Sequence, residues 1–495
     1  MDIIVQAGGR GSRLGHHTDN KPKAMVSVNN LPIIFHLFRK FPNERFLIIT
    51  DYKSEVLKRY LEVFAEVDYE LIKSAGCTGT CSGIDEALKY VSDNEMFMIV
   101  WSDLILSDNL IIPSDNENYM GVSKKFECRW RFIDGRLEDQ RSHECGVAGV
   151  FVFKNKFEIH DVPPGGEFVK WLKNKDIVFK PFDVYETFEC GDINTLPMPD
   201  EGKCRPFNNM EMRGNRIVKE GIDEQGRMLA KHEKMWYAHV MKLGYTHIPQ
   251  IHSLDPLEME MIEGKNVYSY KLDVSEKKTI LIKMIEYLRE LHDMEKTDVD
   301  RFSIVKAYYD KTMERLEKVR GIIPYADKET ININGRVCRN VFFHKNEIKK
   351  VIEEMECPEF RLIHGDCTFS NIILDRGQNP VFIDPRGYFG NTERYGDPKY
   401  DWTKMYYSLY GNYDQFNLRR FRLKISDDVE LKIDSNGWED AEDLFFNMLS
   451  EEIDKRSTKF IHAMIWLSLT TYAWDDYDSI CGAFYNGLYY LEEVL

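Results

Sequence analysis

Two aspartates and an asparagine in the second half of the chain carry the plainest chemical signal. Ile363-His364-Gly365-Asp366-Cys367-Thr368-Phe369-Ser370-Asn371 is followed by Val381-Phe382-Ile383-Asp384-Pro385-Arg386-Gly387. A strand delivers Asp366, a loop places Asn371 just beyond it, and a second strand delivers Asp384. One carboxylate then faces an incoming hydroxyl, while an amide and a second carboxylate face a metal ion. Phosphoryl transfer from ATP to an alcohol needs that arrangement. A second constellation opens the chain: Gly8-Gly9-Arg10-Gly11-Ser12-Arg13-Leu14-Gly15, directly after a strand-like segment. Glycines let a backbone turn tightly and bring its N–H groups against phosphate oxygens. Arg10 or Arg13 adds fixed charge with forked donors. Lys21-Pro22-Lys23, Ser102-Asp103-Leu104 at the end of a hydrophobic strand, and Gly191-Asp192-Ile193-Asn194-Thr195 extend this first set.

The elements that must position these residues differ between the two halves. Across the first 200 or so residues, strand-like and helix-like segments alternate. Strands are expected at Ile3–Val5, Phe46–Thr50, Glu70–Ile72 and Met96–Trp101. Helices are expected at Ile33–Phe41 (with Pro32 in its first turn), at Glu55–Phe64 behind a Ser54 N-cap, and at Ser82–Val91. This rhythm predicts an α/β domain with a mostly parallel sheet and helices on both faces. Ligands of such sheets bind at the carboxyl ends of the strands, where the glycine loop and Asp103 both fall. Leu196-Pro197-Met198-Pro199-Asp200-Glu201-Gly202 is rich in Pro, Gly and charge and reads as a linker. The expected division is therefore a first domain at 1–197, a linker at 198–206 and a second domain at 207–495. The second domain reads as α+β. Short strands at Met210–Met212, Arg216–Glu220 and Leu257–Met261 surround a helix at Met228–Leu243. Helices then dominate: Glu276–Met294, Arg301–Arg320, Lys345–Glu354, Lys399–Tyr410, Asp440–Asp454 and Ser457–Tyr472. Among them sits a β patch at Arg361–Ile363, Ile372–Leu374 and Val381–Ile383.

Composition narrows the classes of function. The chain carries a net charge of −16 and a pI near 5.4, which argues against a partner whose phosphate backbone must be tracked, such as DNA or RNA. The N-terminus has no basic leader, and the longest apolar runs fall far short of the roughly 20 residues that span a bilayer. A cytoplasmic protein without a membrane partner is expected. The 10 cysteines are scattered, as suits reduced, mostly buried thiols. Cys77 and Cys81 lack the second close pair that a zinc site needs.

Across residues 2–195 the first set resembles the sugar-phosphate and choline-phosphate nucleotidyltransferases, which share a GGxGxRL loop, a downstream PK lysine, an Asp ending a central strand and a late D-I-[GN]-T segment. Gly146–Phe153 also matches that family's substrate-side strand. The resemblance implies that Gly8, Gly9, Arg10 and Gly11 bind a nucleoside triphosphate. It implies that Arg13 and Lys23 neutralise charge as the α-phosphate is attacked, and that Asp103 and Asp192 hold Mg²⁺. Some choline-phosphate members carry a Glu two residues before the last metal Asp; here Cys190 occupies that position, with Glu189 one further back. Gly79 and Thr80 lie where the family contacts the base, although the same loop also reads as a plain lead-in to an N-cap at Ser82.

Across 205–495 the second set resembles the aminoglycoside phosphotransferase and choline kinase branch of the protein-kinase-like fold, with a small strand lobe and a large helical lobe. The resemblance implies that Asp366 is the catalytic base and that Asn371 and Asp384 are Mg²⁺ ligands. Lys219 would hold the ATP phosphates and pair with Glu233, and Glu260-Met261 would form the adenine hinge. Asp397 and Asp401 fall in the region that this family uses near its acceptor. Trp466, Thr470 and Trp474 recur on one helix face. They form either a core stripe or, with nearby acids, a cage for a cationic alcohol. Together the resemblances imply a bifunctional enzyme of Mg²⁺, ATP and a second nucleotide, CTP by the choline-phosphate likeness. It would phosphorylate a small amino-alcohol, polyol or sugar, then couple the phosphate to a nucleotide for surface-glycan synthesis. The rival is that one domain only binds nucleotide in a regulatory role.

Overall fold

A computed structural model describes residues 1–74, 78–196 and 208–495, without the side chains of Asn208 and Gln225. The chain divides into two compact units, Met1–Pro199 with Asp475–Tyr477, and Asp200–Trp474 with Asp478–Leu495. The expected linker at 198–206 and Cys77 lie outside the described residues.

In the first unit, four parallel strands form the centre of the sheet, in the order Tyr69–Lys73, Arg45–Thr50, Asp2–Gln6, Phe97–Trp101. Ile3, Ile4, Val5, Leu47, Ile48, Ile99 and Val100 are fully buried, as befits parallel strands covered on both faces. Gly146–Phe153 then adds antiparallel to Phe97–Trp101, and Tyr119–Ser123 antiparallel to that, so the parallel run continues into an antiparallel extension. Gln6 pairs with Trp101. The glycine loop and the Ser102-Asp103 turn therefore leave the sheet side by side from the same edge.

Two expected helix starts differ. Ser54 is the first helical residue of Ser54–Phe64 rather than its cap; the cap is Lys53 at φ 51, which makes no side-chain cap bond. The helix expected from Ser82 is the short Ile84–Leu88, capped by Gly83 at φ 84. A Cβ on Gly83 would lie 2.5 Å from Ile49, so only glycine fits there. The Ser82 hydroxyl is bonded instead to Ser74 at 2.5 Å.

The second unit begins with an antiparallel sheet of Asn208–Arg213, Arg216–Gly221, Leu257–Glu260 and Ile251–Leu254. The helix Glu224–Leu243 follows its second strand, and its cap Asp223 accepts from Gly226 N–H. Helices dominate thereafter. Val274–Met294 opens with a capping box of Asp273 and Glu276. The helix expected over Arg301–Arg320 is broken by a π turn at Lys306–Asp310, after which Lys311–Val319 continues. The expected Asp440–Asp454 shortens to Glu442–Met448. Two hairpins, Thr330–Arg339 and Phe421–Ile433, form an additional four-stranded sheet. The first turns at Asn334-Gly335, both at positive φ, an Asn-Gly signal that was present in the sequence. Trp236, Leu288, Phe369, Trp402 and Phe445 share one core beneath the Asp366 and Asp384 loops.

Candidate active sites

The first site is assembled around Gly191. A Cβ there would meet Glu189 Oε1 at 2.5 Å, Asp103 Oδ2 at 2.9 Å and Arg13 at 3.2 Å, so three groups from three separate segments converge on a position that only hydrogen leaves open. The backbone explains the convergence, because Glu189 pairs antiparallel with Leu104 and Cys190 N–H donates to Asp103 O at 2.7 Å. Lys23 Nζ lies 2.7 Å from Asp103 Oδ2, and Arg13 lies 3.7 Å from Glu189. Gly11, at φ 70, lies against Lys23 so closely that a Cβ would come within 2.9 Å of the Lys23 Cβ. The loop and the lysine are thus locked to one another. Burial, followed by the Asp103 charge, pushes the Glu189 carboxyl up. The Asp192 side chain closes a turn over Asn194 N–H at 2.9 Å and sits close enough to raise Glu189 as well.

The residues expected to contact the nucleotide are placed as follows. The Arg10 guanidinium lies over the Tyr52 ring at 5.5 Å. Thr80 spends its hydroxyl on Phe168 N–H at 2.8 Å and its carbonyl on Gln6. Gly79, at φ 101, is required by the backbone of Gly166, 2.3 Å from where its Cβ would be. Cys190 is buried, its thiol pushed up to about 12 by burial and then by Asp103. The neighbouring Glu189 supplies the carboxylate instead. Strand alternation was the signal for it, since Glu189 and Asp103 share an edge that Cys190 turns away from.

The second site is built on the turn His364-Gly365-Asp366. Asn371 Nδ2 donates to Asp366 O at 2.9 Å and to its Oδ2 at 3.1 Å. Lys404 Nζ lies 3.0 Å from Oδ1. Burial alone would raise the Asp366 carboxyl, but Lys404 and Arg386 outweigh it and hold it down at about 2. Lys219 joins Glu233 at 2.9 Å and Asp384 at 2.8 Å. Burial pushes the Glu233 carboxyl up to about 7 against the pull of Lys219. Desolvation opposes the Lys219 charge, yet its two carboxylates raise it further. Asp384 itself sits at φ 54, an uncommon backbone for a residue other than glycine.

Three of the four expected acceptor residues, Asp397, Asp401 and Trp466, are buried. Asp401 is 0% exposed and accepts from His364 N–H at 2.8 Å, Gly365 N–H at 2.7 Å and His292 Nε2 at 3.1 Å. It holds the His364-Gly365-Asp366 turn. Asp397 is the buried N-cap of Pro398–Leu409, bonded to Lys399 N–H and to the Tyr308 hydroxyl. Trp466 is 0% exposed. Its indole donates to His462 at 3.0 Å and packs on Tyr407 and Phe416, so it belongs to the core. Trp474 is partly buried just beyond the turn Thr470–Ala473. The hinge N–H groups are also taken: Glu260 donates to Gln250 O and Met261 to Asn215 O, both at 2.9 Å.

Both sites suit Mg²⁺ in donor chemistry. In the first, Asp103 Oδ1 is buried without a partner and Glu189 Oε1 adjoins it across Gly191. In the second, the Asn371 amide donates through nitrogen to Asp366, and an amide oxygen and the Asp384 carboxylate are donors of the kind Mg²⁺ takes. Among the described residues no three His, Cys, Asp or Glu side chains gather into a metal centre. Mg²⁺ commonly takes one or two carboxylates and completes its shell with waters and substrate phosphates.

Residues 3–113 match the MobA-like NTP transferase domain, and residues 226–424 match the phosphotransferase enzyme family. Among curated relatives, the bifunctional protein GlmU of Methanococcus maripaludis is 27% identical over 25% of this chain and 30% of its own length. A UTP–glucose-1-phosphate uridylyltransferase of Haloferax volcanii is 31% identical over 22% of this chain and 46% of its own. The chain thus spans about a third of the first relatives it matches. Among solved structures, the inositol-1-phosphate CTP transferase of T. maritima is 17% identical, covers 40% of this chain and 91% of its own, and has a TM-score of 0.34. The fold and sites define a chain with a nucleotidyltransferase-type domain at its start and a phosphotransferase-type domain after it. The first resembles the sugar-phosphate nucleotidyltransferases and the second the aminoglycoside phosphotransferase and choline kinase branch.

Proposed function

We propose that the chain is a bifunctional transferase. Its second unit phosphorylates a small alcohol with ATP, and its first unit joins the phosphorylated product to a nucleoside monophosphate, drawn from CTP, with release of pyrophosphate. The observation that carries this is the paired lysine geometry: Lys23 on Asp103 in one unit, Lys219 between Glu233 and Asp384 in the other. Each lysine stands where phosphate oxygens must be met beside a carboxylate suited to Mg²⁺.

In the second unit, a carboxylate held at about 2 is a weak base. Asp366 therefore orients the acceptor hydroxyl by accepting its hydrogen bond, and the proton passes as the new bond to phosphorus forms. Lys219 binds phosphate oxygens of ATP. In the first unit no protein nucleophile is required, because the substrate's own phosphate attacks. The N–H groups of Gly8, Gly9 and Gly11 bind the triphosphate, and Lys23 and Arg13 offset the charge that builds on the α-phosphate. Asp103 with Glu189 and Asp192, and Asn371 with Asp384, would hold Mg²⁺, which would supply positive charge to offset that of the phosphates. The product is an activated nucleotide-linked building block for surface glycans, made in the cytoplasm; among the described residues no helix is long and apolar enough to cross a membrane.

The test is product mass from the purified chain with Mg²⁺, ATP and each of CTP, UTP, GTP and dTTP, against a panel of alcohols, in wild type, Asp366→Ala and Asp103→Ala. The expected result is a nucleotide-linked product in wild type. Asp366→Ala should leave the alcohol untouched, and Asp103→Ala should stop at its phosphate. Consumption of ATP with no nucleotide ever attached would sink the coupled reading.

A further inference from the structure

The ground beside Asp366 is crowded with positive charge. Lys404 lies 3.0 Å from the carboxylate. Arg386 follows Asp384 by two residues, packs its Cβ 2.8 Å from where a Gly365 side chain would begin, and donates to the Tyr400 hydroxyl at 3.2 Å. Lys311 and Arg315 come from the helix Lys311–Val319, one turn apart and on the same face. Arg315 is fixed by Ser468, through its carbonyl at 2.6 Å and its hydroxyl at 3.1 Å, with Tyr472 under its guanidinium at 5.5 Å. All four residues are partly buried. Of these four, Lys404 alone is ion-paired among the described residues, and its partner is Asp366.

Four cations with one carboxylate leave a local excess of positive charge in a chain whose net charge is −16. Burial first, then Arg386, Arg315 and Lys404, push the Lys311 ammonium well below its ordinary range, and Asp366 is the carboxylate that opposes them. Gathering like charges in a shielded cleft is unfavourable unless an anion is bound there. Asp366, Lys404 and Arg386 stand at the reacting hydroxyl, where the transferring phosphoryl group accounts for part of the excess. Lys311 and Arg315 belong to a helix that bears neither motif, so a different anion is required to explain them. Tyr407 adds no negative charge, being pushed well above its ordinary range chiefly by burial; burial would raise Tyr388 too, but Arg386 and then Arg315 outweigh it and pull that phenol below its ordinary value.

We infer that the acceptor of the second unit is an alcohol that already carries an anionic group, with Lys311 and Arg315 binding that anion while its hydroxyl meets Asp366. A phosphate ester and a carboxylate share the required chemistry. The inference rests on the phosphotransferase reading of this unit and reverses the expectation of a cage for a cationic alcohol.

The test compares matched acceptors with the full chain, Mg²⁺ and ATP: glycerol, ribitol and glucose; their phosphate esters; glycerate and gluconate; and choline and ethanolamine. At least one anionic alcohol should exceed its neutral parent in kcat/KM, and the preference for phosphate over carboxylate names the source. Lys311→Met should lower kcat/KM for that acceptor roughly ten- to hundred-fold, the scale of one charge-assisted contact, with the KM for ATP unchanged and Lys311→Arg restoring part of it. Neutral or cationic alcohols preferred over every anionic one would overturn the inference and leave the phosphotransferase reading standing. An equal loss in ATP affinity would also overturn it, by assigning the lysine to the nucleotide. Should no alcohol be phosphorylated, the phosphotransferase reading fails by itself. Calorimetric binding of glycerol phosphate in the presence of Mg²⁺ and ADP then decides: weakening in Lys311→Met supports the anion site, and equal affinity in both proteins refutes it.

Discussion

Replacing Asp401 with asparagine removes one charge and no volume. Its carboxylate takes three donors, two of them the backbone N–H groups of His364 and Gly365 at 2.8 and 2.7 Å. Whichever way the new amide turns, its NH₂ faces one backbone N–H, and the remaining bonds are to a neutral oxygen. One charged bond of about 1.5–3 kcal/mol is lost outright and the others are weakened. Because the site is 0% exposed, no water replaces them. The expected cost is about 3–5 kcal/mol, the range for breaking a buried charged set by removing one partner. Hydrogen exchange followed by mass spectrometry reads this locally. Peptides covering Phe360–Asn371 should exchange roughly 150- to 4,000-fold faster in Asp401→Asn, since each 1.4 kcal/mol is a factor of ten. Peptides covering Phe97–Trp101 should not change. The phosphotransferase rate should fall with the loosened turn. If the folded variant kept wild-type protection across 360–371, within a factor of about three, Asp401 would not be what holds the catalytic turn.

Gly11→Ala forces a side chain into φ 70 and to 2.9 Å from Lys23, so nucleotidyl transfer should drop at least about a hundred-fold while phosphorylation persists. Gly15→Ala, at φ 57 in open space, meets backbone strain alone, and product assays should show a far smaller loss. Glu189→Gln keeps shape but removes a carboxylate from the Asp103 site. The Mg²⁺ concentration for half-maximal nucleotidyl transfer should rise several-fold, and an unchanged Mg²⁺ requirement would remove Glu189 from the site. Asp414 is pushed from 3.8 to about 6, chiefly by burial. Its folded form holds the proton more tightly, so stability falls as pH rises from about 4 to 6 and stays reduced above. Asp414→Asn should therefore match wild type in urea midpoint near pH 4 and exceed it at pH 8, by up to roughly 3 kcal/mol; lower stability at pH 8 would contradict this.

The short contiguous motifs were legible because phosphate and metal chemistry constrains neighbours along the chain. Within the first unit Gly11 and Asp103 both lie against Lys23, and within the second Lys219 lies between Glu233 and Asp384. What was misread depends on packing from a distance. Asp397 and Asp401 look like surface acids in sequence, yet one caps a buried helix and the other reaches back to a loop far behind it. Trp466 offers a core face and a cage face alike to a periodicity argument, and only Phe416 and Tyr407 decide between them. The basic cluster is spread over 311, 315, 386 and 404, so no window shows it. Its trace was Lys311 and Arg315 standing beside Thr312 and Leu316, two residues of the helix's buried face.

Helix Pro398–Leu409 carries Asp401 and Lys404 one turn apart. The first fixes where the Asp366 backbone sits, and the second sets the charge that its side chain feels. Placement and tuning therefore ride on a single rigid rod. Any movement of this helix would carry the Asp366 turn together with one of its two counter-ions, while Arg386, the other, reaches it from a separate segment.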